Sequence, residues 1–395
     1  MGYAACSRST QLAYRQIVGN RRARRAVLST VLALLVGGCG GPTPTVQPPT
    51  PTTAPTTAPT TVPATTATAS GRATAGTPKV LARGLQAPWG LAFLPDGSAL
   101  VSERDTRRIV QVAPDGTVRQ VDVVEEADAG GEGGLLGLAV SKDYAKDGLV
   151  YAYYTTSADN RIARFRLGQP PQVIVSGIPV SGIHNGGRLA FGPDGMLYAG
   201  TGDASERGRS ADVGSLGGKV LRMTPEGRPA PGNPFSGSLV FTLGHRNVQG
   251  LGFDAAGRVY ATEFGQNAFD EVNLLQAGRD YGWPSVEGDE EAPGKTRPLL
   301  TWQPEDASPS GAVVAGGSFW VAALRGKRLW QVPLDGKGGV DQAIPLLKGD
   351  FGRLRHVALE PSGDALWVLT SNRDGRGDPT DDDDRILRIP LTPAR

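Results

Sequence analysis

Apolar residues along this chain recur in short alternating runs separated by tight turns, a period-two pattern that predicts β-strands and leaves little room for helices. The stretch Ser181 to Asp203 shows the pattern most clearly. Leu189-Ala190-Phe191 reads as a short strand, Pro193-Asp194-Gly195 as a turn, and Met196 to Thr201 as the returning strand. Proline presets φ in such a turn and glycine accepts the positive φ that closes it. Just upstream, His184-Asn185-Gly186-Gly187-Arg188 is polar and glycine-rich. A histidine on a loop, joined through a hairpin to Asp203, is a side chain carried by a rigid platform.

The hairpin unit repeats, and the repeat predicts the fold. Unit one is GLQAPWGLAFLPDGSALVSERDTRRIVQVAPDG from Gly84, and unit two carries GEGGLLGLAV, GLVYAYYTT and RIARFRL. Unit three is the stretch above followed by GGKVLRMTPEG; unit four runs LGHRNVQGLGFDAAGRVYATEFGQNAFDEVNLL. Unit five has GAVVAGGSFWVAAL and RGKRLWQVPLDG, and unit six LRHVALEPSGDALWVLTSNRDG and RILRIPL. Six units of about 50 residues fill the chain from Pro78 onward, which predicts an all-β, six-bladed β-propeller over residues 78–395. Two stacked β-sandwiches are the alternative, disfavoured because the repeat phase runs unbroken through the middle of the chain. Gly and Ala recurring in GLAF, RLAF and GLGF fit inner strands crowded around an axis.

In a propeller the residues just ahead of the innermost strands gather at the mouth of the central channel. The six units offer Trp89; Glu132; His184; Arg246 and Asn247; Ser308 and Ser310; Arg353 and Arg355. Polar residues accumulate in any turn-rich loop, but here three arginines, a histidine and an asparagine come from three repeats. Such a positive ring repels itself unless a multiply charged anion neutralises it. Among the three histidines, His184 is the candidate for chemistry because Asp203 can orient it; His245 and His356 read as packing or supporting residues. Glu263 occupies a place similar to that of Asp203. The acidic run Asp381 to Asp384 lacks the spaced ligands of a calcium loop and reads as a solvated loop.

Composition narrows the classes further. The 395 residues carry a formal charge of +2, but the six charged residues before Cys39 are all arginines. Taking those six from 41 leaves 35 basic against 39 acidic residues, near −4, which argues against a nucleic-acid partner. Both cysteines, Cys6 and Cys39, precede the repeats, so the propeller has no disulfide, thiolate metal site or cysteine nucleophile. Residues 1–38 read as a signal peptide: a basic Arg21-to-Arg25 cluster, an apolar run from Ala26 to Val36, and a lipobox-like Leu35-Val36-Gly37-Gly38-Cys39. Lipidation at Cys39 would anchor the protein to the membrane of a bacterial cell on its extracytoplasmic side. A plain secretory signal or a signal anchor is the bland alternative. Residues 39–77, rich in threonine and proline, read as a disordered, semi-stiff tether that can also carry O-glycans.

Four motifs together resemble the soluble glucose/sorbosone (aldose sugar) dehydrogenases: His184-Asn185-Gly186-Gly187-Arg188-Leu189, Leu243-Gly244-His245-Arg246-Asn247-x-Gln249-Gly250-Leu251, Asp270-Glu271-x-Asn273-Leu274 and Tyr281-Gly282-Trp283-Pro284. The resemblance extends from about Val80 to Pro390. It implies a six-bladed propeller that binds pyrroloquinoline quinone (PQQ) with Ca²⁺ and oxidises a sugar by hydride transfer to the quinone. By motif, His184 resembles the family's catalytic base, with Asp203 its partner acid and Arg246 beside them. Arg246 and Asn247 match residues that touch the quinone, Arg325 falls at a basic cofactor contact, and Arg353 and Arg355 match a carboxylate-binding pair. Glu263-Phe264-Gly265-Gln266 resembles the calcium loop, with backbone carbonyls of Gly265 and Gln266 as ligands. The implied partners are a small sugar and an electron acceptor, a quinone or a cytochrome. PQQ carries three carboxylates, the kind of anion the arginine ring calls for.

The chain departs from the family pattern in places. Glu132 stands where glutamine is familiar, adding a negative charge near the cofactor unless it is protonated or paired with an arginine. Arg325 replaces lysine, and Val248 and Gln266 fall where prolines are common. Long insertions of the glucose-specific members are absent, which implies a more open pocket. Two rival functions use the same architecture: a calcium-dependent lactonase, which needs acidic and amide side chains in the channel, and a non-catalytic envelope propeller binding a glycan or protein.

Overall fold

The computed structural model describes residues 72–393; the signal peptide, Cys39 and most of the tether lie outside the described residues. Two short strands come first, β1 (Thr74–Ala75) and β2 (Lys79–Ala82). Blade one follows as β3 (Pro88–Phe93), β4 (Ala99–Glu103), β5 (Arg108–Val112) and β6 (Val118–Val123). Blade two is β7 (Leu135–Val140), β8 (Val150–Thr155), β9 (Asn160–Phe165) and β10 (Gln172–Ile178). Blade three is β11 (Leu189–Phe191), β12 (Leu197–Gly200), β13 (Val220–Met223) and β14 (Val240–Thr242). Blade four is β15 (Val248–Phe253), β16 (Val259–Glu263), β17 (Asp270–Leu275) and β18 (Leu300–Trp302). Blade five is β19 (Pro309–Ala315), β20 (Ser318–Ala323), β21 (Arg328–Pro333) and β22 (Ile344–Leu346). Blade six holds β23 (Leu354–Leu359), β24 (Ala365–Thr370) and β25 (Ile386–Thr392).

Each blade is an antiparallel meander, and the innermost strands β3, β7, β11, β15, β19 and β23 pack side by side in a closed ring. The six-bladed propeller expected from the repeats is therefore the observed fold. The hairpin around Pro193-Asp194-Gly195 pairs Leu189 with Ala199 and Phe191 with Leu197. Its turn is locked by Asp194, whose Oδ1 accepts the Met196 N–H at 3.0 Å. Close approach explains the inner glycines: a Cβ at Gly137 would lie 2.1 Å from the Gly187 carbonyl oxygen of the next blade. Between blades the core is apolar, as where Trp320, Leu329, Val357, Leu366 and Leu387 join blades five and six.

Blade six is closed by strands from both ends of the propeller. β2 pairs with β25 (Val80 opposite Leu387), and so does β1 (Thr74 opposite Thr392). Ala73 is buried, its N–H donating to Gly316 O at 2.8 Å and its carbonyl accepting from Gln331 Nε2 at 2.9 Å. The propeller thus includes residues before Pro78, because Thr74 and Ala75 find an open sheet edge that supplies them with hydrogen bonds.

A β-bulge recurs near the start of five of the six inner strands. The register with the second strand shifts between Pro88 and Leu91, Leu135 and Leu138, Val248 and Gly250, Pro309 and Ala312, and Leu354 and His356. An extra residue in one strand bends it and re-aims a side chain. The residues inside these bulges include Trp89, Gln249 and Arg355, and all three line the channel mouth.

Candidate active site

The mouth is a funnel whose wall includes Trp89, Glu132, Gly186, Gln249, Phe264, Leu324, Arg355 and Asp374. His184 stands at its rim with φ of +60°, a backbone conformation that costs a non-glycine residue and is held here from several sides. Its N–H donates to Glu132 Oε2 at 2.8 Å, and its carbonyl accepts from Ala204 N at 3.2 Å. Next to it, Gly186 (φ +64°) has no room for a side chain: a Cβ would lie 2.5 Å from Thr201 Cα.

The His184 ring meets Asp203 as expected, with Nδ1 2.8 Å from Oδ1. Asp203 is fully buried and also accepts Trp283 Nε1–H at 2.9 Å and Ser205 N–H at 2.8 Å. Burial alone would raise its pKa, but the bonds from His184, Trp283 and Ser205 together hold it below the ordinary carboxylate value. An ionised Asp203 can only accept, so Nδ1 carries the ring proton and Nε2 presents its lone pair. The His184 side chain is 12% exposed, and its neighbours Asn185 and Gly186 line the funnel.

Arg246 lies beside this pair. It donates through Nη1 to the carbonyls of Phe264 (3.2 Å) and Gly265 (2.6 Å), and its guanidinium sits 5.5 Å from the Trp283 ring centroid. Its backbone N–H donates to Glu263 Oε1, while Glu263 Oε2 takes His245 Nδ1 at 2.7 Å. His245 is fully buried, bonded to Thr242 at 2.9 Å and stacked on Tyr281, the packing role expected of it. Burial and the neighbouring Glu263 carboxylate push the Glu271 pKa up, although Asn273 Nδ2 and the Gly288 N–H both donate to it. Asn247 Oδ1 accepts Gly186 N–H at 3.0 Å, which ties the His184 loop to blade four.

Arg353 and Arg355 come together on one carboxylate that the repeat did not reveal. Asp374 Oδ2 accepts from Arg353 Nη2 at 2.8 Å and Arg355 Nη2 at 3.3 Å, all three side chains being buried. Burial works to raise the Asp374 pKa, but the two guanidiniums outweigh it and hold it low. Arg355 is pushed down to about 10 by burial, against the pull of Asp374. Glu132 finds the arginine partner its charge requires: Oε1 accepts Arg376 Nη1 at 2.9 Å. Arg325 lies on the turn between β20 and β21 with its side chain exposed, while its neighbour Leu324 lines the funnel.

Residues 264–269 are shaped by a second carboxylate the sequence did not disclose. Glu287 Oε1 accepts the backbone N–H groups of Gln266, Asn267, Ala268 and Phe269 at 2.6, 3.0, 3.0 and 3.2 Å. A run of N–H groups turned onto one oxygen turns the intervening carbonyls the opposite way, since N–H and C=O point oppositely across a trans peptide. Among the described residues no cluster of three His, Cys, Asp or Glu side chains could hold a metal, so a cation here would rest on backbone oxygen. In the acidic run, Asp381 and Asp382 are exposed, but Asp383 and Asp384 are buried, contrary to the solvated loop expected. Asp384 Oδ1 accepts Thr370 Oγ1 and Asn372 N–H, and Asp383 Oδ1 accepts Arg385 Nε. Both carboxylates cap the β24–β25 connection rather than face water.

Three buried donors around the funnel have no acceptor among the described residues: Arg246 Nε, Asn247 Nδ2 and Arg355 Nε. Unpartnered buried donors are costly, and this set suits a planar ligand carrying several carbonyl and carboxylate oxygens.

Comparison with known proteins agrees with this chemistry. The family model described as Glucose / Sorbosone dehydrogenase matches residues 85–387. The PQQ-bound aldose sugar dehydrogenase of Streptomyces coelicolor superposes with a TM-score of 0.77 at 50% identity, covering 80% of this chain and 98% of that one. Quinoprotein glucose dehydrogenase B of Acinetobacter calcoaceticus is 34% identical over 53% of this chain and 52% of its own length. The aldose sugar dehydrogenase YliI of Escherichia coli is 28% identical over 75% of this chain and 90% of its own. A matching family model across the whole propeller, on a funnel built around a histidine–carboxylate pair and two arginines, makes this chain a member of the glucose/sorbosone dehydrogenase family.

Proposed function

We propose that this sugar dehydrogenase oxidises an aldose-type sugar with PQQ seated in the funnel and Ca²⁺ on the carbonyls of Gly265 and Gln266, Arg246 Nη1 leaving the Gly265 carbonyl for the cofactor's oxygens. The observation that carries the reading is the oriented His184–Asp203 pair beside buried donors without acceptors. Arg353, Arg355, Arg246 and Asn247 would hold the cofactor's oxygens, and Glu132, paired with Arg376, would adjoin it. When bound, PQQ supplies the two-electron acceptor for hydride and Ca²⁺ polarises its carbonyl. His184 Nε2 accepts the proton of the sugar hydroxyl. Asp203 keeps the ring in the required tautomer and stabilises the imidazolium that forms. Trp283 fixes the second oxygen of Asp203 and lies beside the Arg246 guanidinium. The exit for the electrons is a separate quinone or cytochrome.

The test is reconstitution of purified protein with PQQ and Ca²⁺, followed by dye reduction across a panel of aldoses. Protein that never binds PQQ refutes the reading. Arg355→Ala should weaken PQQ binding by about 1.5–3 kcal/mol, the scale of a hydrogen bond to a charged group, with a smaller effect on turnover at saturation. Titration at wild-type affinity would remove Arg355 from the cofactor site. Trp283→Phe keeps the ring but drops the bond to Asp203, and should lower kcat about tenfold or more at full PQQ occupancy. Unchanged kcat would show that Asp203 needs no second anchor.

The lipobox-like segment supports an extracytoplasmic protein anchored to the membrane through Cys39, which lies outside the described residues. Cys39→Ala should move the protein from the detergent phase to the aqueous phase; unchanged partitioning would refute the anchor.

A further inference from the structure

Glu287 lies in the connection between β17 and β18, against the loop from Phe264 to Phe269. Every backbone N–H of that loop has an acceptor. Phe264 N donates to the Asn247 carbonyl at 3.1 Å and Gly265 N to Asp270 Oδ1 at 3.0 Å. The next four, from Gln266 to Phe269, all converge on Glu287 Oε1, the shortest being that of Gln266 at 2.6 Å. Glu287 is itself fixed in place. Its neighbour Gly288 donates its N–H to Glu271 Oε1 at 2.8 Å, and a Cβ at Gly288 (φ +81°) would lie 2.4 Å from Phe269 Cδ2.

The peptides of this loop are trans, so each carbonyl points away from the N–H of the residue that follows it. The Gln266 N–H bound to Glu287 therefore turns the Gly265 carbonyl away from that carboxylate, and the Asn267 N–H does the same for the Gln266 carbonyl. The Gly265 oxygen already faces a cation: Arg246 Nη1 reaches it at 2.6 Å. Carbonyl oxygens are neutral ligands, and alone they leave the charge of a hard divalent ion uncompensated. A carboxylate held against the N–H ends of the same two peptide planes adds a negative charge behind them and polarises both C=O groups toward the ion. We propose that Glu287 is a positioning residue for Ca²⁺, setting the affinity of the Gly265 and Gln266 carbonyls for the ion without touching it. Glu287 has this role only if Ca²⁺ occupies the seat proposed above. Asp270 serves the loop differently, orienting a single peptide and tying it to Ser308 N–H at 2.7 Å, just ahead of blade five.

The test is calorimetric titration of CaCl₂ into protein freed of metal by a chelator and held at saturating PQQ, read beside the thermal midpoint with and without Ca²⁺. Glu287→Ala should weaken Ca²⁺ binding by about 10- to 100-fold, the usual effect of losing a group that orients metal ligands. Glu287→Gln keeps an oxygen for the four N–H groups but drops the charge, so its affinity should fall between those of Glu287→Ala and the wild type. That variant also guards against an alanine protein that fails to fold. Asp289→Asn removes an exposed charge two residues away and should bind Ca²⁺ as the wild type does. A Glu287→Ala protein with a lowered metal-free midpoint but wild-type Ca²⁺ affinity would make the carboxylate merely structural and overturn the proposal, leaving the calcium seat standing. Wild-type protein that loads PQQ yet takes up no Ca²⁺ would refute the seat itself, and the role of Glu287 with it.

Discussion

His184→Gln should leave the protein able to load PQQ yet lower kcat by about 10²–10⁴-fold, the usual contribution of a general base. The side chain can still reach Asp203 but offers no basic nitrogen at the position of Nε2. The proposed charge partners of the cofactor, Arg353 and Arg355, are on blade six, so PQQ affinity should change little. His245→Gln is the control. His245 is buried among Thr242, Glu263 and Tyr281, so its loss should lower thermal stability more than kcat at full occupancy. Steady-state kinetics on loaded enzyme decides, with occupancy read from cofactor absorbance. A His184 variant turning over near the wild-type rate would remove His184 from the mechanism.

Asp374→Ala should be the most destabilising single change around the funnel, costing the cofactor-free protein about 3–5 kcal/mol, because it strands two buried guanidiniums without a counter-charge. Denaturant titration measures this directly, and an unchanged midpoint would refute it. The sign with pH follows from the lowered pKa. The folded state holds Asp374 ionised below the ordinary value of 3.8, so its contribution is full above 3.8 and is lost as pH falls through the folded pKa. The variant should lack that acid limb. PQQ should raise the stability of Asp374→Ala more than that of the wild type, since the cofactor's carboxylates replace the missing charge.

The sequence was most informative where structure follows from local repetition. Alternation and Pro-Asp-Gly turns placed the hairpins, and the repeat placed the residues ahead of each inner strand, so His184, Arg246, Asn247, Arg353 and Arg355 were legible together. The bulges that turn Trp89, Gln249 and Arg355 into the funnel were not, because a bulge is set by pairing with the next strand rather than by its own residues. Asp374 and Glu287 were missed for a related reason. Asp374 ends the sixth unit and Glu287 lies in the connection after the fourth, and nothing local says which distant donors either carboxylate will meet. Glu132 and Arg376 are at nearly opposite ends of the propeller sequence yet pair across the mouth. Asp383 and Asp384 show the converse error: a run of like charges reads as solvated, whereas its last two members are caps buried by β24 and β25. β1 escaped notice because two residues in a threonine-alanine tract carry no strand signal until an edge is offered to them.

The sharing of blade six between the first and last strands of the propeller also governs the order in which the molecule can assemble. Thr74 must wait for Thr392, and Val80 for Leu387, so a chain emerging amino end first cannot close its ring until β25 has been made. Contacts so distant in sequence carry a large loop-closure entropy and set a slow final step. Arg353, Arg355 and Asp374 belong to this last blade, whereas His184 and Asp203 belong to the third. The His184–Asp203 pair therefore precedes the arginine pair along the chain, and a chain lacking blade six lacks Arg353, Arg355 and Asp374. Capture of a charged ligand is thereby deferred until the barrier against unravelling from either end, the pairing of first strand with last, already exists.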